Sequence, residues 1–185
     1  MSDYCTRLII PGLQGSGEGH WQTWWQGRDR NALRVEQDDW ATPDLNAWSK
    51  NVRQAVDELR GDVWLVAHSF GCLASLQITP QRRDRIRGLF LVAPADPDKF
   101  SASHLLHQGE LPFPSVLVAS HTDPWLHFDK AKSWATSLGS QFVDLGDAGH
   151  INVESGFGEW QQGFDLFGSF VRKVTSAEIR EVVCG

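Results

Sequence analysis

The sequence predicts an α/β protein, built as a three-layer α/β/α arrangement around a mostly parallel sheet of about six strands. Short β-type runs alternate with helical segments along the chain, and the three middle runs, 63–67, 88–93 and 115–120, consist mostly of apolar residues. Strands with water on one face alternate in polarity, whereas strands covered on both faces do not. At 185 residues, the whole chain, 1–185, is expected to form a single domain.

The first half of the chain alternates two strands with two helices. The run "RLIIPG" predicts a strand at 7–12 that stops at Pro-Gly, and residues 33–37 alternate like a strand with one wetter face. Residues 20–28 space three tryptophans at i, i+3 and i+4, as one helix face requires. A longer helix is predicted from its N-cap Asp44 to Gly61. Its apolar stripe consists of Leu45, Trp48, Val52, Val56 and Leu59.

The second half continues the same alternation. Strands are predicted at 63–67, 88–93, 115–120 and 141–145. Helices are predicted at about 69–77, 129–138 and 160–174. Residues 94–114 are expected to be irregular, and the end of the chain, 175–185, to form either a short extra helix or a loose tail.

The composition argues against several classes of partner. A net charge of −6 opposes binding to nucleic acid or to an anionic membrane surface. No window approaches the roughly 20 apolar residues of a membrane-spanning helix, and the N-terminus lacks the pattern of a signal peptide. Cys5, Cys72 and Cys184 are odd in number and far apart, so a cytoplasmic protein without a disulfide framework is expected.

Residues suited to acyl transfer follow the predicted strands, at the edge where parallel sheets bind ligands. Ser69 follows one strand and His150 lies in a glycine-rich loop after the last one. A serine is activated by an imidazole that takes its proton, and a carboxylate orients that imidazole. Three carboxylates also follow strands. Asp147 is too close to His150 in sequence to orient its ring, whereas Asp96 and Asp123 both remain candidates.

The stretch Ala67-His68-Ser69-Phe70-Gly71 is similar to the G-x-S-x-G turn that joins a strand to a helix and exposes a nucleophilic serine. Residues flanking this turn must be small because strand and helix crowd together there. Gly71 meets that need fully and Ala67 less completely. The alternative is that Ser69 only caps the following helix.

Four stretches together resemble the small α/β-hydrolases similar to retinoblastoma-binding protein 9: "PGLQGSGEGHWQTWW", "LVAHSFGC", "SHTDPW" and "GHINVESGFGEW". The resemblance extends over about residues 8–170. It implies a reduced α/β-hydrolase fold with a Ser-Asp-His triad, which falls on Ser69, Asp123 and His150 in the chain order of that fold. It thereby favours Asp123 over Asp96 as the acid.

Two positions depart from the sequence of many hydrolases or of many relatives, and one motif of the family's namesake is absent from this chain. Ala67 stands where many hydrolases carry glycine, and Trp160-Gln161 stands where many relatives carry Trp-Pro. The L-x-C-x-E motif of the namesake is absent. A retinoblastoma-type pocket protein is therefore not expected as a partner.

The oxyanion that forms during acyl transfer needs fixed N–H donors. The backbone N–H of Phe70, directly after the serine, is expected to be one of them. The second is expected from the glycine-rich loop after the first strand, at Leu13, with Gln14 as the alternative.

The sequence therefore predicts a serine hydrolase acting on a small acyl ester, or on a related thioester or amide. Trp40 and Trp125 are candidate pocket walls, and residues 94–114 form the only insertion large enough to cover the site. No organic cofactor or metal is expected, since His104 and His107 lack a recognisable third ligand. The alternative function is a binding or regulatory module on the same scaffold with little physiological turnover.

Overall fold

The six predicted strands form one parallel sheet. The structure is a computed structural model that describes the backbone of residues 5–184 and the side chains of residues 5–177. The strand order is β2-β1-β3-β4-β5-β6 and every pairing is parallel, which confirms the predicted fold class. The strands are Thr6–Ile10 (β1), Ala32–Arg34 (β2), Val63–His68 (β3), Ile86–Val92 (β4), Ser115–Ala119 (β5) and Gln141–Asp144 (β6). The helices are Trp21–Gln26 (α1), Leu45–Glu58 (α2), Phe70–Arg82 (α3), Phe128–Ser137 (α4) and Gln161–Cys184 (α5).

Helices cover both faces of the sheet, which is why its central strands are mostly apolar. Successive residues of β3 and β4 point to opposite faces. Leu65 and Leu89 belong to the core under α2, α3 and α4. Their neighbours Val66 and Phe90 belong to the core under α1 and α5. All four side chains are almost completely buried, so both layers are held to the sheet by apolar burial.

A cluster of tryptophans fixes α1 to the segment that leads into α5. The ring centroids of Trp21 and Trp25 are 4.6 Å apart, and Trp160 lies 5.4 Å from Trp21 and 5.8 Å from Trp25. Trp25 Nε1 donates to the carbonyl of Trp160. The spacing of the tryptophans in the sequence therefore reflects a packed helix face, as predicted.

Helix α3 is longer than the sequence indicated. It was expected to end near Gln77 but continues to Arg82 and includes Pro80. Proline in a helix removes one hydrogen bond and disfavours the preceding turn. The turn nevertheless forms because Ile78 and Thr79 are almost completely buried, and packing outweighs local propensity.

The C-terminal prediction is also corrected. Helix α5 runs without a break from Gln161 to Cys184, so residues 175–184 form neither a separate helix nor a loose tail. The segment after Gly168 contains no further glycine or proline before its last residue, and nothing in it stops a helix. In the described part of the chain, no helix combines the length and apolarity needed to cross a membrane.

Residues 94–114 are irregular, as predicted, apart from two short 3-10 turns at Pro97–Phe100 and Ser103–Leu105. The remaining strands and helices match their predicted positions to within a few residues at their ends. Asp44 caps α2 as expected, because its side chain accepts a hydrogen bond from the Ala47 N–H.

Candidate active site

Ser69 lies at a tight turn between β3 and α3. Its backbone angles, φ 52° and ψ −122°, are ones that a residue with a side chain rarely adopts. The turn is closely packed: a Cβ on Gly71 would lie 2.4 Å from the Pro11 carbonyl oxygen, and one on Gly12 would lie 2.7 Å from Ser69 Cβ. Ser69 occupies the N-cap position of α3, but its hydroxyl makes no capping hydrogen bond. The Ser69 hydroxyl is therefore not used to cap the helix.

The Ser69 hydroxyl meets the ring of His150, and that ring meets Asp123. The distance from Ser69 Oγ to His150 Nε2 is 2.8 Å. His150 Nδ1 lies 2.9 Å and 3.0 Å from the two carboxylate oxygens of Asp123. The Asp123 carboxylate is almost fully buried and accepts a further 2.8 Å hydrogen bond from the Trp125 N–H. Residues from three loops, after β3, β5 and β6, thus form one hydrogen-bonded chain.

The two other candidate acids do not contact this chain. Asp96 is paired with Lys130 at 2.5 Å and accepts a hydrogen bond from the Asp98 N–H at the start of a 3-10 turn. Asp147 has a side chain that is 77% exposed and lies 3.7 Å from His121 Nδ1. Of the three carboxylates, only Asp123 is hydrogen-bonded to the His150 ring.

The two backbone N–H groups predicted to bind the oxyanion are both without an acceptor among the described residues. Phe70 is the first residue of α3, where an amide has no partner within the helix. The alternative donor Gln14 is already used, because its N–H donates to the Trp40 carbonyl at 2.8 Å. The Leu13 N–H makes no such bond among the described residues, which favours Leu13 over Gln14.

A buried glutamine that the sequence analysis missed holds this loop in place. Gln22 Nε2 donates to the carbonyls of Ile10 and Val66, each at 3.2 Å, and Gln22 Oε1 accepts a 2.6 Å hydrogen bond from Ser16 Oγ. The amide therefore joins β1, β3 and the glycine-rich loop. In the sequence Gln22 is a polar residue beside a tryptophan on a short helix, and no signal distinguishes it from a surface position.

Two further imidazoles lie beside His150. The ring centroid of His68 is 4.9 Å from that of His150 and 5.0 Å from that of His20. His20 caps α1 by accepting a hydrogen bond from the Gln22 N–H. Burial, together with the charge of Arg34, lowers the pKa of His20 to about 4. Burial lowers the pKa of His68 well below its usual value. Both rings are therefore neutral near pH 7.

Ser69 and His150 line a cleft of about 490 Å³. Its walls include Trp125 and Phe100, the latter from the irregular segment 94–114. Its complete lining is Leu13, Gln14, Gly15, Gly17, His20, His68, Ser69, Phe100, Trp125, His150, Asn152, Val153 and Glu154. Trp40 is not part of this lining: it packs behind Gly15 and edge-on against Trp48, with ring centroids 5.5 Å apart.

Within the described residues, no group of three or more His, Cys, Asp or Glu side chains is arranged to hold a metal ion. His104 is exposed, and His107 bonds through its ring to the carbonyl of Glu110. The cleft lining includes the Ser69 hydroxyl and the His150 imidazole, which are groups suited to acyl-transfer chemistry.

Comparison with known proteins identifies the family. Residues 7–169 match the serine hydrolase family. The chain is 26% identical to YdeN of Bacillus subtilis (strain 168) over 183 residues, which cover 90% of this chain and 96% of that protein. A YdeN-like protein of Pectobacterium atrosepticum is 36% identical, with a TM-score of 0.88 and 92% of each chain covered.

A more distant match shows the fold alone. Mouse alpha/beta hydrolase domain-containing protein 10 is 12% identical, with a TM-score of 0.70 over 93% of this chain and 90% of that one. The predicted resemblance to small α/β-hydrolases is thereby confirmed. The chain belongs to the serine hydrolase family and has the fold of the compact α/β-hydrolases.

Proposed function

We propose that the protein hydrolyses a small acyl ester, or a related thioester or amide, through an acyl-enzyme intermediate on Ser69. The hydrogen-bonded chain from Ser69 through His150 to Asp123, at the wall of an open cleft, supports this most directly. Membership of the serine hydrolase family supports the same reaction class. The odd number of widely spaced cysteines favours a reducing, cytoplasmic setting for it.

In the first half of the reaction, His150 Nε2 takes the proton of Ser69 Oγ as the oxygen attacks the substrate carbonyl carbon. The carbonyl oxygen becomes an oxyanion, which the N–H groups of Leu13 and Phe70 stabilise. The tetrahedral intermediate then collapses. The leaving group departs with the proton from His150, and the acyl group stays on Ser69.

In the second half, His150 takes a proton from water, and the resulting hydroxide attacks the acyl carbon. Collapse of this second intermediate releases the carboxylic acid and returns the proton to Ser69. Asp123 accepts the hydrogen bond from His150 Nδ1–H in both halves, so it keeps Nε2 unprotonated in the resting state and stabilises the imidazolium that forms.

The walls of the cleft favour a small, largely apolar acyl group. Leu13, Phe100, Trp125 and Val153 offer apolar surface, and Trp125 and Val153 are exposed by 43% and 51%. Large apolar side chains exposed at a cleft are typical of ligand-binding surfaces.

Covalent labelling tests the proposal and separates it from a non-catalytic binding role. A fluorophosphonate should modify Ser69 in the parent protein, and peptide mass spectrometry should place the adduct on that residue. Hydrolysis of p-nitrophenyl butyrate should fall on the order of 10⁴-fold or more in Ser69→Ala, with little change in melting temperature. A folded Ser69→Ala protein that keeps a tenth of the parent activity would exclude Ser69 as the nucleophile. Labelled protein that turns over no ester, thioester or amide would instead favour the binding module.

A further inference from the structure

We propose that His68 is a positioning residue for the hydrolase reaction: its ring N–H holds the backbone of His150 so that the two catalytic side chains meet. This inference rests on the roles proposed above for Ser69 and His150. The ring of His68 makes a long-range hydrogen bond that reaches the candidate base.

His68 closes a ring of contacts through the nucleophile and the base. His68 Nε2 lies 2.9 Å from the carbonyl oxygen of His150, in a buried contact between residues 82 positions apart. A carbonyl oxygen only accepts, so His68 Nε2 carries the proton and donates it. His68 is also the covalent neighbour of Ser69, whose Oγ lies 2.8 Å from His150 Nε2. The His68 bond therefore fixes the distance across which the proton is transferred.

The loop that carries His150 is strained and needs to be held. Ile151, the next residue, has φ 50°, which a β-branched residue rarely adopts. Its carbonyl accepts a 2.9 Å hydrogen bond from the buried Trp21 Nε1. Two consecutive carbonyls, of His150 and Ile151, are thus each held by a side-chain N–H from a different element, β3 and α1. Strained backbone persists only where its surroundings fix it in this way.

The position requires a neutral donor, which distinguishes His68 from a residue that only fills space. The charged and titratable groups nearest to its ring are His150 and His20, with ring centroids 4.9 Å and 5.0 Å away. A cation at this place would oppose the positive charge that His150 gains during the reaction. Burial keeps His68 uncharged by lowering its pKa. Leucine would fill the space without donating, and lysine would donate but carry charge.

Two neutral amides of different reach test the proposal. In His68→Gln the amide nitrogen reaches about as far as Nε2 of histidine, whereas in His68→Asn it reaches only about as far as Nδ1. We expect His68→Asn to lower kcat for p-nitrophenyl butyrate, and the rate of fluorophosphonate labelling, about 10- to 100-fold with KM little changed. His68→Gln should recover most of that loss. His127→Asn, at an exposed position without a capping bond, is the matched control and should resemble the parent.

The proposal would be overturned if His68→Asn and His68→Gln both kept the parent rates. It would also be overturned if both variants lost activity equally while keeping the parent melting temperature. A measurement on the unmodified protein covers the case in which the variants do not fold. Nitrogen-15 NMR of the histidine rings should find His68 as the neutral Nε2–H tautomer near pH 7, and an Nδ1–H tautomer or a charged ring would contradict it. Ser69→Ala in the same assays distinguishes failure of this proposal from failure of the proposed function. A fully active Ser69→Ala would contradict the proposed function itself.

Discussion

At the scale of single residues, two aspartates at one edge of the sheet are expected to differ sharply in their effect on activity. Asp123 contacts the His150 ring, whereas Asp96 is paired with Lys130. Asp123→Asn should preserve the fold but favour the wrong tautomer of His150, and a loss on the order of 10⁴ in kcat is known for this change in a Ser-His-Asp triad. Asp96→Asn should lower kcat far less. Steady-state kinetics of the two purified variants, with one ester and one buffer, make the comparison.

The same pair of variants contains its own control. Asp96 is mostly buried, but in Asp96→Asn the partly exposed Lys130 keeps Asp98 as a partner, and the amide oxygen can still accept from the Asp98 N–H, so the cost in stability should be about 1 kcal/mol. Nearly equal losses of kcat in the two variants would contradict the assignment of Asp123. So would a crystal structure in which His150 Nδ1 donates to Asp96.

Two buried histidines should make stability depend on pH. Burial lowers the pKa of His20 to about 4 and that of His68 well below 6.5, whereas both titrate near 6.5 when the chain is unfolded. Between those limits the unfolded chain binds more protons, so the free energy of unfolding should fall as the pH drops from about 6.5 towards 4. For His20 alone the loss is at most about 3 kcal/mol.

Urea unfolding at about pH 7.5 and about pH 5 measures this dependence. His20→Asn removes the titrating ring and retains a residue that caps helices well, so it should reduce the difference between the two conditions. His104→Asn, at an exposed histidine, should leave that difference unchanged. An unfolding free energy that is flat between the two pH values would show that the buried rings are protonated in the folded protein.

At the scale of secondary structure, the contact between α3 and the end of β1 is expected to tolerate no added atoms. A Cβ on Gly71 would lie 2.4 Å and 2.5 Å from the carbonyl oxygens of Pro11 and Ile10. Gly71→Ala should therefore push α3 away from β1 and cost about 1–3 kcal/mol or more. It should also lower kcat, because β1 leads into the loop that carries the Leu13 N–H.

Gly27→Ala is the matched control for Gly71→Ala. Gly27 ends α1 with φ −68°, and an added Cβ there would meet its neighbours at ordinary contact distances. We expect its unfolding free energy to stay within about 1 kcal/mol of the parent or to rise slightly, since alanine reduces the freedom of the unfolded chain. Thermal melting and ester hydrolysis measured on both variants decide the matter. Equal melting temperatures would show that the turn between β3 and α3 has room to relax.

The sequence predicted the elements well where burial repeats in a regular pattern. Strands β3, β4 and β5 read as apolar runs because helices cover both of their faces. The end of α3 was missed because Pro80 signals a stop, whereas the tertiary burial of Ile78 and Thr79 keeps the helix going. The pairing of β1 with both β2 and β3 depends on contacts between distant segments, which no local pattern encodes.

The triad residues were predictable as types at a sheet edge, but the backbone contacts that position the site were not. Ser69 and His150 stand out because they follow strands. The choice of Leu13 over Gln14 depends on a hydrogen bond to the Trp40 carbonyl, and the importance of His68 depends on the carbonyl of His150. Both acceptors are backbone atoms far away in the chain. Every residue has a backbone carbonyl, so neither contact can be predicted from the sequence.

At the scale of the whole molecule, the size of the cleft limits the acyl chain. The cleft measures about 490 Å³, and segment 94–114 contributes only Phe100 to its lining. Each further CH₂ adds roughly 0.8 kcal/mol of binding only where apolar wall receives it. For p-nitrophenyl esters, kcat/KM should therefore rise from acetate to about butyrate or hexanoate and then level off or fall.

A series of esters from acetate to palmitate, without detergent and with the solubility of the long chains checked, measures this limit. Trp125→Ala removes an exposed part of the wall and should flatten the rise between acetate and butyrate. A steady increase in kcat/KM through palmitate would reveal an acyl groove beyond the cleft and would move the substrate class to long-chain lipids.

The lengths of the strands across the sheet affect how copies of the protein behave at high concentration. The outermost strands, β2 and β6, have only three and four residues, and they end at the charged residues Arg34 and Asp144. The longest strands, β3 and β4, are enclosed between partners. An open sheet can bind further chains through the unpaired backbone groups of its edge strands. Short edge strands that carry charge offer an incoming strand few such groups. The fold therefore resists growth into sheet-like aggregates without needing a separate element to cover its edges.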